Sequence, residues 1–288
     1  MAVDCAGLGS PVEAAVDLCP DVDVRFVSEL HTETRAHLLK NASPLVRGGI
    51  KRVTDDVTKR QRGEEEHVDL YVTGFPCQPY SSLGCRLGEN DPRGRIVHSV
   101  VNVIRRTLPK SFILENVVGF RDHNDGKAFK QMMRKLKQIK NGAENAYDLH
   151  VEVLNTSDFG LPQSRRRLYV VGILHSECER SFTWPLPIPS APLSALLDPK
   201  DPGADLSRLP EGNVAQANVV HHLKELRKRG VDPELQDCVI DCDSSPAWSQ
   251  SMVERCPCLT HSRAQGHWLT SQARRLTPGE TFRLQGLC

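Results

Sequence analysis

The chain has 288 residues, of which 39% are hydrophobic and 25% charged, an ordinary balance for a globular protein with a full core. No apolar run approaches the roughly 20 residues that a membrane-spanning helix needs, and the first residues show no secretory signal. The formal net charge of +1 gives no overall attraction to a polyanion, so nucleic-acid binding would depend on local patches. The ten cysteines have no spacing typical of a disulfide framework, which predicts reduced thiols.

Short apolar runs alternate with amphipathic segments along the first half of the chain. This alternation predicts a parallel sheet covered by helices on both faces. The predicted strands are 2–5, 24–28, 70–73 and 112–114, followed by a helix at 128–139 and further strands at 151–154 and 168–174. Frequent prolines between 184 and 210 then indicate a linker or an irregular lobe. A helix is predicted at 214–229, and another begins at Pro278.

Two features near the N-terminus point together to a cofactor that carries a nucleoside. Asp4-Cys5-Ala6-Gly7-Leu8-Gly9 follows the first strand, where its glycines allow close approach of a ligand to the backbone. Glu29 ends the second strand, where an acid can accept hydrogen bonds from ribose hydroxyls. Taken singly, a glycine turn is common in α/β proteins, and Glu29 is equally consistent with a solvated carboxylate.

The segment Gly74-Phe75-Pro76-Cys77-Gln78-Pro79-Tyr80-Ser81 follows the strand 70–73. Cys77 is therefore expected at the carboxyl end of the sheet, where open α/β folds bind their ligands. A lone cysteine is usually a small buried hydrophobe, but the stiff Pro76 and the polar Gln78 and Ser81 favour a reactive thiol. Glu115 follows the strand 112–114 at the same edge, as an acid paired with a nucleophile or as a helix N-terminal acid.

Three residues, Gln163, Arg165 and Arg167, alternate along an incipient strand and are expected on one face of it. Clustered arginines are usually a solvated patch. A forked guanidinium is also a natural partner for a phosphate or a base carbonyl oxygen, so both interpretations stay open at this point.

These blocks, in this order, resemble the cytosine carbon-5 DNA methyltransferase family. The matching segments are the Pro-Cys-Gln loop, Glu115-Asn116-Val117, the Gln-x-Arg-x-Arg strand, 91–94, 154–160 and the terminal block 275–286. The resemblance implies an α/β fold with a Rossmann-like S-adenosylmethionine-dependent methyltransferase sheet and a small, irregular target-recognition lobe. The expected divisions are a catalytic domain at 1–184, the recognition lobe at 185–265 and a return to the catalytic domain at 266–288.

The resemblance also implies roles for individual residues. Cys77 resembles the thiolate that adds to carbon 6 of cytosine, and Glu115 the acid that holds the exocyclic amine and ring nitrogen 3. Arg165 and Arg167 resemble the pair that supports the base carbonyl and the catalytic loop. The implied contacts to S-adenosylmethionine are Asp4, Cys5, Gly7, Gly9, Glu29, Asp56, Val57 and Pro76. The implied substrate contacts are Gln78, Ser81, Arg93, Gln163, Arg263 and Trp268, with Arg263 and Trp268 expected at a DNA groove or phosphate.

The expected partner is double-stranded DNA, bound by an intracellular monomer that would be nuclear in a eukaryote. The chain departs from the family at Cys5, where phenylalanine usually packs on the adenine ring, and at Gly286-Leu287-Cys288, where a further Gly-Asn helix usually follows. The second departure is consistent with a fragment, a permuted gene or a weak cofactor binder.

Two alternatives to a DNA methyltransferase stay open. Transfer RNA as the substrate is disfavoured, because the RNA branch tends to read Pro-Pro-Cys-Gln. A catalytically weak regulatory homologue that binds nucleic acid is the other. We do not expect a metal, because Cys238, Cys242, Cys256, Cys258 and His261 fit no standard zinc spacing.

Overall fold

The computed structural model describes residues 1–60, 63, 66–76, 96–177, 181–263 and 265–287. The chain divides into two compact units. The first consists of Met1–Leu154 and Arg167–Trp184, and the second of Asn155–Arg166 and Pro185–Cys288. Within the described ranges, no helix is both long and apolar enough to span a membrane.

Strands and helices alternate in the first unit. The strands are β1 (Ala2–Asp4), β2 (Phe26–Ser28), β3 (Arg52–Thr54), β4 (Leu70–Thr73), β5 (Ser111–Val117), β6 (Lys140–Asn141), β7 (Glu144–Asn145), β8 (Tyr147–Asn155) and β9 (Arg166–Leu174). The helices are α1 (Ser10–Leu18), α2 (Thr32–Asn41), α3 (Ile96–Thr107), α4 (Val118–Asp122) and α5 (Lys127–Lys137). The described strands of the main sheet have the order β3-β2-β1-β4-β5-β9-β8, and β6 and β7 form a separate hairpin.

The main sheet is mostly parallel, as the alternation in the first half of the chain predicts, and β9 is antiparallel to its neighbour β5. Strands β3, β2, β1, β4 and β5 are parallel, whereas β9 runs antiparallel to β5 from Ser111↔Ile173 to Val117↔Arg167. A parallel connection needs a crossover, usually a helix. Between β8 and β9 the chain forms only the 3-10 turn Thr156–Asp158, so these two strands cannot both follow the direction of the parallel five.

Helices cover both faces of the sheet, as the sequence predicts. Phe26 and Tyr71 lie in one buried apolar cluster together with side chains from α3 and α5. Val3 and Val27 lie in a second cluster with side chains from α1 and α2. Because successive side chains in a strand point to opposite faces, β1, β2 and β4 each contribute to both clusters.

The second unit is smaller and has its own sheet. Its strands and helices are α6 (Asn213–Lys228), β10 (Cys238–Ile240), β11 (Ser251–Val253), β12 (Trp268–Leu269), β13 (Arg274–Arg275) and α7 (Pro278–Arg283). The sheet order is β11-β10-β12-β13, with every pair antiparallel. Since β12 pairs with β10 and β13 pairs with β12, residues 266–288 group with the second unit, whereas the sequence led us to expect them in the catalytic domain.

Candidate active site

The carboxyl ends of β4 and β5 bring a glycine and a carboxylate together. Thr73 pairs with Leu114 in the parallel register, so the next residues, Gly74 and Glu115, lie side by side. A Cβ placed on Gly74 would lie 3.2 Å from Glu115 Oε2, tighter than most such contacts in proteins. Glycine at 74 therefore leaves the Glu115 carboxylate room at the start of the segment that leads to Cys77.

Arg167 holds this carboxylate from the neighbouring strand. Arg167 Nε donates to Glu115 Oε1 at 2.9 Å, and the side chains are 14% and 28% exposed. Glu115 pairs with Tyr169 across the antiparallel register, so Arg167 is its diagonal neighbour on the same face. The ion pair fixes one carboxylate oxygen, and the other faces Gly74.

Asn116 fixes the backbone at the same place, and sequence reasoning did not single it out. Its side chain is 3% exposed, and Nδ2 donates to the carbonyl of Phe75 at 3.0 Å. The Phe75 ring packs edge-on against Phe120, with centroids 5.4 Å apart. A signal was available: Phe112, Leu114 and Asn116 share the buried face of β5, and a polar residue at a buried position needs a partner.

Four of the expected site residues, Cys77, Gln78, Ser81 and Arg93, lie outside the described residues. Pro76, which precedes Cys77 in the sequence, is half-buried. The roles expected for these four residues stay predictions.

Glu29 ties the glycine loop to the end of β2. Its carboxylate accepts hydrogen bonds from the backbone N–H of Gly7 at 2.8 Å and of His31 at 3.0 Å. Gly7 has φ +58°, and no heavy atom lies within 4 Å of the Cβ that another residue would place there. The backbone of the loop thus borders open space, as a ligand that approaches closely would require.

Gly9 shows the opposite situation. It has φ +107° and precedes α1, and a Cβ there would come within 2.7 Å of Ala42 Cβ. Position 9 therefore needs glycine for packing, and position 7 borders the space available to a cofactor.

Asp56 and Val57 belong to the turn after β3. The Asp56 carboxylate accepts from Thr58 N at 2.9 Å and Thr58 Oγ1 at 2.7 Å, and its side chain is 20% exposed. Val57 is buried in the same apolar cluster as Phe75. Asp56 keeps an exposed portion that a ligand could contact.

Asp4 and Cys5 face the interior more than the sequence suggested. The Asp4 carboxylate is fully buried and is occupied by donors from Arg60, Tyr71 and Ser28. Cys5 has the unusual φ of +51°, and burial, reinforced by Asp4, raises the pKa of its thiol to about 12. Cys5 therefore carries a neutral thiol at physiological pH and does not act as a competing nucleophile.

Two expected residues beside the arginine strand belong to the second unit. The strand begins at Arg166, so Gln163 and Arg165 are not part of it. Gln163 is fully buried and its Nε2 donates to the Leu284 carbonyl at 2.8 Å, so its side chain acts inside the second unit. Arg165 Nη1 contacts the Leu259 carbonyl at 3.4 Å. We expected Gln163, Arg165 and Arg167 on one face of this strand, but only Arg167 is part of it.

Arg263 and Trp268, expected at the DNA, also have internal partners. Arg263 Nε donates to Asp241 Oδ1 at 2.8 Å, and its Nη2 donates to Ser244 Oγ at 2.5 Å. Trp268 is 4% exposed and lies in an apolar cluster with Val219. Its ring contributes to the core of the second unit and has almost no surface for a phosphate.

The arrangement of cysteines and histidines concerns the question of whether the chain binds zinc. The six cysteines among the described residues are free thiols. In the same part of the chain, no group of three or more histidine, cysteine or acidic side chains is placed to hold a metal ion.

The sheet, the glycine loop and the acid at the strand ends define a Rossmann-like methyltransferase fold. A solved structure of a methyltransferase from Entamoeba histolytica superposes with a TM-score of 0.61, covering 100% of this chain and 85% of that one. The two sequences are 16% identical, so this likeness concerns the fold.

The family follows from the sequence comparisons. The family model for C-5 cytosine-specific DNA methylases matches residues 22–287, and the chain belongs to that family. A type II methyltransferase of Neisseria gonorrhoeae, M.NgoBI, is 32% identical over 225 residues, which are 76% of this chain and 63% of the relative. M.HaeII of Haemophilus aegyptius is 31% identical over 224 residues, with the same two shares. The chain thus spans less than two thirds of the length of these relatives.

Proposed function

We propose that the chain transfers a methyl group from S-adenosylmethionine to carbon 5 of cytosine in double-stranded DNA. The reaction would proceed through a covalent adduct with Cys77, on a base flipped out of the duplex. The observation that carries the proposal is the Glu115 carboxylate, held by Arg167 beside Gly74, where the segment leading to Cys77 begins. Membership in the DNA methylase family supports the same reaction and favours DNA over transfer RNA.

The chemistry explains why these residue types occur together. Carbon 5 of cytosine is a poor nucleophile until a thiolate adds to carbon 6 and turns the ring into an enamine-like system. In the proposed reaction Glu115 holds the exocyclic amine and ring nitrogen 3 and balances charge as the thiolate adds. After methylation, loss of the carbon 5 proton lets the Cys77 sulfur leave. Arg167 keeps the carboxylate oriented towards the base.

The residues near the glycine loop fit S-adenosylmethionine, which would supply an electrophilic methyl group. The open space beside Gly7 admits a ligand against the backbone, and Glu29 at the end of β2 offers carboxylate oxygens for ribose hydroxyls. The exposed part of Asp56 could accept from the adenine amine. The small neutral Cys5 gives less contact area than the phenylalanine usual in the family.

A trapping experiment tests the proposal. The probe is a random-sequence duplex library with 5-fluorocytosine in one strand, incubated with the full chain and S-adenosylmethionine. Fluorine at carbon 5 cannot leave as a proton does, so the adduct should accumulate and survive a denaturing gel. Cys77→Ser should abolish it, and Glu115→Gln should slow its formation by about 100-fold or more.

The exposed Glu144 on β7 provides a matched control, because Glu144→Gln removes a similar charge in the separate β6–β7 hairpin, outside the main sheet, and should trap as the wild type does. No adduct with the wild-type chain would contradict the proposal and favour a regulatory binding protein. Adducts with a transfer RNA containing 5-fluorocytosine, and none with the duplex library, would shift the substrate to RNA.

A further inference from the structure

Arg60 is a buried arginine that the proposed reaction does not use. It follows the 3-10 turn Val57–Lys59, which Asp56 caps. Its side chain is 3% exposed, and its guanidinium donates to Asp4 through two nitrogens, at 2.9 Å to Oδ2 and 2.5 Å to Oδ1. Such a two-nitrogen contact fixes direction as well as distance.

The Asp4 carboxylate also joins two other strands. Tyr71 Oη on β4 donates to Oδ2 at 2.7 Å, and Ser28 Oγ on β2 donates to Oδ1 at 2.7 Å. The Arg60 guanidinium lies 4.6 Å from the centroid of the Phe26 ring, within the range of a cation–π contact. The network of Asp4, Ser28, Arg60 and Tyr71 therefore links β1, β2 and β4 to the turn after β3.

Each part of the proposed cofactor site adjoins a member of this network. Asp4 directly precedes the glycine loop, Ser28 precedes Glu29, and Arg60 follows the turn that holds Asp56. The Oγ of Ser28 also accepts from the Cys5 backbone N–H at 3.3 Å. A shift of Arg60 would therefore move both the glycine loop and the turn that holds Asp56.

Stability alone does not account for a buried ion pair at this position. Burying two charges carries a desolvation penalty that often cancels their attraction, and apolar side chains of similar volume frequently do as well. What the pair supplies, and apolar packing does not, is a fixed distance between two segments far apart in the sequence.

We propose that Arg60 is a positioning residue for the cofactor site, which sets the affinity for S-adenosylmethionine by locking the glycine loop to the turn that carries Asp56. The inference rests on the proposed function, since it presumes a cofactor beside Gly7. Arg60 itself has its guanidinium engaged by Asp4 and acts through the backbone segments on either side.

The test is binding of S-adenosylhomocysteine to the full chain, measured by isothermal titration calorimetry. Arg60→Met keeps the length and apolar volume but removes the charge, and should raise Kd at least tenfold. Arg60→Lys restores a single charge and should recover part of that loss. Tyr71→Phe removes one donor from Asp4 and should raise Kd about threefold. Arg47→Met is the control, because Arg47 forms an exposed ion pair with Asp21 and should leave Kd unchanged.

The binding measurements separate a failure of this inference from a failure of the proposed function. Equal Kd values for wild type and a folded Arg60→Met variant, as judged by circular dichroism and a cooperative melt, would overturn the inference and leave the proposed function intact. If Arg60→Met does not fold, Tyr71→Phe decides, and a wild-type Kd there overturns the inference. No binding by the wild-type chain overturns both proposals. In turnover assays a positioning role predicts a raised KM for S-adenosylmethionine with kcat nearly unchanged.

Discussion

Two glycines in one loop should respond differently to the same substitution. Gly9→Ala places a methyl group 2.7 Å from Ala42 Cβ at φ +107°. Backbone strain of about 1–3 kcal/mol and overpacking of about 1–3 kcal/mol give a destabilisation of roughly 2–6 kcal/mol. Gly7→Ala meets open space at φ +58°, so only the strain of about 1–2 kcal/mol applies.

The two variants should therefore separate folding from ligand binding. Thermal unfolding followed by circular dichroism should show Gly9→Ala melting roughly 8–16 °C lower for a central loss of about 4 kcal/mol, and Gly7→Ala only a few degrees lower. Titration with S-adenosylhomocysteine should show the reverse order, because the added methyl group at position 7 occupies the space beside the loop. Equal losses of stability, or unimpaired binding by Gly7→Ala, would refute the packing argument.

Three further changes have defined outcomes. Asn116→Ala leaves the buried Phe75 carbonyl without its donor and should cost about 1–3 kcal/mol in urea unfolding, and an unchanged midpoint would mean that the bond contributes nothing. Arg167→Met leaves the largely buried Glu115 carboxylate without its cation, so the free energy of unfolding should fall by about 1–3 kcal/mol while trapping of 5-fluorocytosine DNA falls sharply, and normal trapping would remove Arg167 from the site. Burial raises the pKa of the Cys242 thiol to about 11 and that of Cys5 to about 12. Above pH 9 the unfolded chain loses these protons first, so unfolding free energy should fall by up to about 1.4 kcal/mol per pH unit for each thiol. Replacing both by alanine should flatten that decline between pH 9 and 11, and equal slopes would contradict the cause.

The sequence predicted the elements whose pattern is strong and local. The strand at 70–73 has the predicted bounds, and the helix at 128–139 differs by one or two residues at its ends. Glu115 lies within β5 and not after it, but its position beside Gly74 was predictable, because neighbouring parallel strands that end together bring the residues at their carboxyl ends to one edge of the sheet. The antiparallel direction of β9 was not, since an apolar run indicates a strand without indicating which way it runs.

Other features depend on contacts between distant segments, which no local sequence pattern indicates. Arg60 lies in an irregular stretch, so nothing in the sequence distinguishes it from a solvated arginine, and its burial against Asp4 comes from the fold. Trp268 lies in a strand of only two residues, too short for alternation to indicate which face is buried. Conversely, Cys77 was prominent in the sequence, and its role awaits the trapping experiment.

Because the candidate active site depends on the contact between Glu115 and Arg167, it should be sensitive to insertions inside β9 and tolerant of insertions that leave the register of β9 unchanged. Because the pair is diagonal across β5 and β9, moving β9 by one residue would turn the arginine to the opposite face of the sheet. A one-residue insertion inside Arg166–Leu174 would therefore break the contact between Glu115 and Arg167 and inactivate the site, while the other strands of the sheet keep their pairing. Insertions among the exposed residues 141–145 of the β6–β7 hairpin would leave the register of β9 alone, so length variation between homologous genes should collect there and avoid the strand.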